Sequence, residues 1–134
     1  MTRVTIRPGE WGEAAAQMLS RAETPAGLVS LRRQVEDGAA SLFFVEDEGG
    51  DLLAAYVLRV DDGALGPEGV IVSAAGRARF DLVGLILPHI ETQFSGVVAY
   101  RMHVKRAGML RKLARQGWAP EEFVMKKGSA DGRE

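Results

Sequence analysis

With 134 residues, 46% apolar and 26% charged, the chain can bury a core in one domain, expected over residues 1–127 with a disordered tail at 128–134. The absence of cysteine excludes disulfides, thiolate zinc sites and a cysteine nucleophile, and the only two histidines, His89 and His103, are too few for a histidine-rich metal centre. A formal net charge of −1 hides a division: residues 1–69 carry 6 basic and 12 acidic side chains, whereas residues 70–134 carry 11 and 6.

No apolar run is long enough to cross a bilayer, and the N-terminal residues read as a strand instead of a secretory signal, so a cytoplasmic protein without membrane partners is expected. Residues 3–7 alternate Val4 and Ile6 with Arg3, Thr5 and Arg7, a half-buried strand ended by Pro8 and Gly9. Helical spacing follows from Trp11 through Ala14, Ala15, Met18 and Leu19. The run Thr24, Pro25, Ala26, Gly27 interrupts it, and Leu28, Leu31 and Val35 then mark a second, shorter helix stopping at Asp37 and Gly38. Two helices between strands are placed to cap one face of a sheet.

Residues 41–46 and 52–60 form a hairpin about the turn Glu48, Gly49, Gly50, Asp51. A second turn at Asp61, Asp62 and Gly63 leads past Gly66 and Pro67 to a strand over residues 70–74, so three strands meander. That strand breaks at Gly76 and passes through Arg77, Ala78, Arg79 and Phe80 into a helix with Leu82, Leu85, Ile86, Ile90 and Phe94 on one face. Pro88 lies inside this helix and is expected to kink it or start a new turn, because it deprives the Gly84 carbonyl of its partner. A glycine turn feeding a helix N-terminus makes an anion seat, because its amides and the helix dipole point outward together; Arg77 and Arg79 flank it. An ordinary corner with solvated arginines is the alternative.

Residues 97–105 read as a strand with Tyr100, Met102 and Val104 on one face and Arg101, His103 and Lys105 on the other. Met109, Leu110, Leu113 and Ala114 give a closing helix its apolar stripe, with Arg111, Lys112 and Arg115 wet and Gly117 as C-cap. Residues 118–127 form a last strand. The six basic residues between positions 97 and 120, with no acid among them, suit a phosphorylated ligand or a solvated face; nucleic acid is the less expected partner.

This order of strand, two helices, three meandering strands, helix, strand, helix and strand resembles the GNAT superfamily of acyl-CoA-dependent N-acyltransferases over nearly the whole chain. The fold class so implied is α/β (α+β), a mainly antiparallel sheet of six to seven strands flanked by four helices. Two local features carry the resemblance further. Ser73, Ala74, Ala75, Gly76, Arg77 and Ala78 match the glycine and small residue that end the family's pyrophosphate loop, with Ser73 where Gln or Arg is usual. The closing helix ends in Gly117 and Trp118, like the family's Gly-aromatic entry into its last strand.

The resemblance implies acetyl-CoA as co-substrate, its pyrophosphate on the amides from Gly76 through Arg77, Ala78 and Arg79 to Phe80, and its pantetheine along Val72, Ser73 and Ala74 in a slot between splayed strands. Arg111 and Lys112 would help to neutralise phosphates. It further implies acetyl transfer to a small-molecule or protein amine, with Glu68 as first candidate base because it precedes the strand on which the family often carries one. His103 and Tyr100 are the remaining candidates for proton shuttle and acid, although strand alternation puts them on opposite faces. The family's tyrosine before the Gly-aromatic pair is Leu113 here, its asparagine near the start of the closing helix is Arg106, and the connection from Val72 to Gly76 is shorter. The alternative is therefore a catalytically inactive GNAT-like fold serving as a binding or assembly module, for which Pro88, the run Arg106, Ala107, Gly108 and the pair Gly117, Trp118 resemble phage- or prophage-encoded chains. A homo-oligomer is compatible with either reading. Neither a serine-hydrolase elbow nor a P-loop is present.

Overall fold

A computed structural model describes residues 3–77, 81–104, 107–121, 125, 127 and 128. The elements run β1 (Thr5–Gly9), α1 (Glu13–Leu19), α2 (Pro25–Glu36), β2 (Ser41–Glu46), β3 (Leu52–Gly63), β4 (Gly66–Gly76), α3 (Leu82–Gln93), β5 (Ala99–Met102) and α4 (Ala107–Arg115). The strands lie side by side in chain order, antiparallel from β1 to β4, and β5 joins parallel to β4. A parallel neighbour needs a crossover, and α3 supplies it.

Period-two alternation in the central strands sends side chains to two cores. Leu42 and Phe44 of β2 and Ala55 and Val57 of β3 meet Ala15, Met18, Leu19 and Leu31 of α1 and α2. Val45, Tyr56, Leu58 and Ile71 meet Ile86, Leu87 and Ile90 of α3 and Leu113 of α4 on the other face. Burial on both faces explains why β3 reads as one apolar run and not as an alternation. The first helix pair does cap one face of the sheet, as its place between strands implied.

Several boundaries differ from expectation for physical reasons. β1 runs through Pro8 to Gly9, because it is an edge strand and Pro8 needs no amide for a second neighbour. The run at Thr24 begins α2 instead of interrupting a helix: Thr24 Oγ1 accepts from the Gly27 amide at 3.0 Å and Pro25 takes the first helical position, so α2 is the longer of the pair. Asp61, Asp62 and Gly63 stay in β3, and the chain reverses at Ala64 and Leu65. Asp61 thus faces Glu68 across the ladder, a like-charge pair that Arg59 and Arg101 neutralise. α3 starts at Leu82 and not at Arg77, with Asp81 as cap, and continues unbroken past Pro88. Leu85 is 40% exposed, off the core stripe that Ile86, Leu87 and Ile90 form.

The sheet has five strands among the described residues, not six or seven, and the element order is described only as far as α4. α4 ends as expected at Gly117, with φ of 87° and the Trp118 amide bonded to the Leu113 carbonyl at 3.1 Å. Of the last expected strand, residues 118–121 are not extended into a ladder, and residues 122–124 and 126 lie outside the described residues, as do Lys105, Arg106 and the tail from residue 129. Among the described residues no helix is long and apolar enough to cross a membrane.

Candidate functional site

β4 and β5 pair from Glu68 opposite Ala99 to Ile71 opposite Met102, and then part. At the same point Val57 faces Ser73 and Leu58 faces Ile71, so Val72 is an extra residue without a partner in β3. Such a bulge bends and over-twists its strand. Residues 73–76 stay paired with β3, while on their other side no strand lies against them among the described residues. The opening is a cleft of about 690 Å³ that passes between the two helical layers, walled by Ala74 and Gly76, by Leu82 and Ile86 of α3, and by Lys112 of α4. That volume lies within the usual range of small-molecule sites.

The phosphate end departs from the expected strand-to-helix turn. Gly76 closes β4 opposite Ala54, and a Cβ there would stand 2.8 Å from Leu82 Cδ1, so this glycine is needed for close packing. Arg77 extends the hairpin, its amide donating to the Leu53 carbonyl at 2.7 Å and its Nε to the Leu52 carbonyl at 3.2 Å. Ala78, Arg79 and Phe80 lie outside the described residues. At the start of α3 the Asp81 carboxylate accepts from the Gly84 amide at 3.2 Å and has Lys112 Nζ 3.8 Å away. An acid therefore sits where the helix dipole would favour a ligand anion, with one lysine beside it.

Of the three proton-transfer candidates, the structure brings His103 to the cleft, exposed just beyond β5. Tyr100 lies elsewhere on the α3 side, its hydroxyl donating to the Glu91 carbonyl at 3.3 Å and its ring between Phe94 and Trp118 at centroid distances of 5.8 and 6.2 Å. Glu68 does not line the cleft. It pairs with Arg101 at 3.5 Å on the α2 side of the sheet, in a cluster where Arg59 Nε donates to Asp61 Oδ1 at 2.6 Å and Arg101 Nη2 to Asp61 Oδ2 at 3.0 Å. The hydrogen bond from Arg59, reinforced by both positive charges, holds Asp61 below the usual carboxylate range against a smaller desolvation effect. Arg101 is thus committed to the fold and does not continue a basic stripe.

Ser73 and Val72, expected along the coenzyme, turn their side chains toward the α1 and α2 layer. Ser73 is buried and donates to Glu23 Oε2 at 2.8 Å, and Val72 packs on the first core. Ala74 is exposed into the cleft. Leu113, where the resembled family has a tyrosine, is 4% exposed and offers no hydroxyl. Lys112, expected to help neutralise phosphates, does line the cleft, whereas Glu23 and Tyr56 line it without having been marked by the sequence. Tyr56 donates to Gln93 Oε1 at 2.6 Å, and burial, partly offset by that bond, pushes its phenol up to about 12. Only the mid-strand position of Tyr56 hinted at its burial, and no local pattern marks Glu23.

No protein-family model and no curated protein matches the sequence. Solved structures do match. A putative acetyl transferase from Pyrococcus furiosus superposes with a TM-score of 0.73 at 12% identity, covering 95% of this chain and all 100% of that one. A GCN5-related N-acetyltransferase from Ralstonia eutropha gives 0.67 at 18% identity over 93% and 98% of the two chains. A predicted acetyltransferase from Clostridium acetobutylicum, solved with acetyl-CoA, gives 0.68 at 10% identity over 94% and 96%. With matching topology over nearly the full length of each, the chain has the fold of the GNAT superfamily.

Proposed function

We propose that the chain transfers an acetyl group from acetyl-CoA to an amine. The observation that carries this reading is the parting of β4 and β5 after Ile71 and Met102, which, among the described residues, leaves one side of residues 72–76 without a strand at the wall of the cleft. Pantetheine carries two amides, and such an edge offers them backbone partners at strand spacing. Small side chains at Ala74, Ala75 and Gly76 let a ligand approach the main chain closely. The fold neighbour from Clostridium acetobutylicum, solved with acetyl-CoA, supports the same ligand for this cleft.

Acetyl transfer forms a C–N bond as the thioester C–S bond breaks. The acceptor ammonium must lose a proton before attack, and the departing thiolate must gain one. His103, at the cleft, can both accept and donate a proton. Tyr56 is poorly suited to the acid role, because its proton is already given to Gln93 and its phenol is raised. Lys112 is a cation at the phosphate end, partly quenched by Asp81. A second reading, a non-catalytic assembly module such as a phage-like particle uses, draws on Leu113 in place of a hydroxyl and on that acid at the α3 N-terminus.

Calorimetric titration with acetyl-CoA decides between them. Substitution at Gly76 would press on Leu82, so the informative variant is Ala74→Trp, which fills the cleft from an exposed position. The wild-type chain should bind with micromolar affinity, and Ala74→Trp should lose at least roughly tenfold with an unchanged circular dichroism spectrum. Absence of wild-type binding at millimolar coenzyme sinks the acyl-transfer reading.

A further inference from the structure

Glu23 lies in the joint between α1 and α2 yet reaches β4, fifty residues away in sequence, where Ser73 Oγ donates to its Oε2 at 2.8 Å. Its other oxygen lies over Gly27 in the first turn of α2, where an added Cβ would stand only 2.5 Å from Oε1. The carboxylate is therefore held by a buried hydroxyl of the sheet and lies in the room that Gly27 leaves over the first turn of α2. Ordering a long, flexible side chain costs rotamer entropy that a solvated surface glutamate does not lose. Glu23 is the one carboxylate lining the cleft among the described residues, and it makes no salt bridge with any of them. The cations lining the same cleft, Arg21 and Lys112, make no salt bridge with Glu23, so the positioned carboxylate is matched to a cationic head group.

We infer that Glu23 receives the ammonium group of the acceptor amine, with Ser73 and Gly27 as the residues that position its carboxylate. The acceptor then enters from the α1–α2 side and meets the thioester where β4 and β5 separate. The identity of the cation as acceptor rests on the acyl-transfer reading above; the cation site itself rests on the carboxylate and its two supports. Glu68, engaged by Arg101, is not available for this task.

The test is a nitrogen-15 NMR titration of the protein with propylammonium chloride, without coenzyme, and with 1-propanol as the uncharged match. Saturable shifts are expected at the Gly27 and Ser73 amides with propylammonium and not with propanol. Glu23→Gln should weaken binding at least tenfold, and Ser73→Ala should weaken it severalfold by freeing the carboxylate. Gly27→Ala, which keeps the negative charge but displaces it, should also weaken binding, an effect that charge alone does not explain. Unchanged propylammonium affinity in Glu23→Gln, or no saturable shifts at these amides in the wild-type chain, overturns the proposal. Because no coenzyme is present, failure of acetyl-CoA to bind in calorimetry leaves this result standing, and the converse holds.

Discussion

Tyr56 shows how strongly a single enclosed side chain couples to the medium. It is 2% exposed, its ring stacks on Phe43 at 5.3 Å, and its hydroxyl donates to Gln93. Burial raises its phenol from 10.0 to about 12, so the folded state holds the proton where the unfolded chain has released it. Stability from this group is complete below pH 10 and declines as pH rises from 10 toward 12. Urea unfolding across that window should fall more steeply for the wild-type chain than for Tyr56→Phe, and parallel curves would contradict the assignment. Near pH 7 Tyr56→Phe should cost about 1–2 kcal/mol, since Gln93 Oε1 loses its donor. At this scale the sequence was least informative. Glu68 stands next to the expected slot in the chain, but a ladder pairing with Asp61 sends it into an ion cluster. Glu23, far away in sequence, reaches the cleft because Gly27 leaves space for it. Long-range steric room of that kind has no local signature.

The start of α3 sets a conflict between helix stability and ligand charge. Asp81 caps the helix through the Gly84 amide, and the same carboxylate opposes a diphosphate there. Asn is an equally good cap without the charge. Asp81→Asn should therefore change stability by less than about 0.5 kcal/mol while tightening acetyl-CoA binding severalfold. It also releases Lys112, now 3.8 Å from Asp81 in an exposed pair of little energetic weight. The gain should shrink between low and high salt, because these charges are screened by solvent ions. Calorimetry that finds Asp81→Asn binding no better than wild type would remove Asp81 and Lys112 from the phosphate end. The elements themselves were largely legible: Glu48 to Asp51 marked a hairpin, and Gly117 a helix end. Hidden were the charge-neutralised extension of β3 through Gly63 and the Val72 bulge, which depend on partners across the ladder.

At the level of the molecule, the sheet is anchored unevenly about the cleft. β3 is paired along both edges and buried on both faces, with Ala55, Tyr56, Val57 and Leu58 all enclosed. Among the described residues β5 is held through one short parallel ladder, from Ala99 to Met102, and α4 contributes Leu113 as its buried residue. Element order was readable because each segment carries its own period, 2 for strands and 3.6 for helices. Where neighbouring strands stop pairing is a property of the assembled sheet, and no single segment encodes it. The consequence is a gradient of local stability: the half of the cleft made by β5 and α4 should open at lower free energy than the half made by β3 and β4. Native-state hydrogen exchange should find the amides of residues 55–58 slowest, at the global unfolding limit, and those of β5 and α4 faster by at least about tenfold. A ligand that bridges the two halves stabilises the bound state by its own binding free energy, so saturating acetyl-CoA should slow exchange in β5 and α4 and shift residues 55–58 only as far as global stability rises. Uniform protection across the sheet without ligand would contradict the gradient. Added protection confined to β3 would mean that the ligand does not span the parting strands.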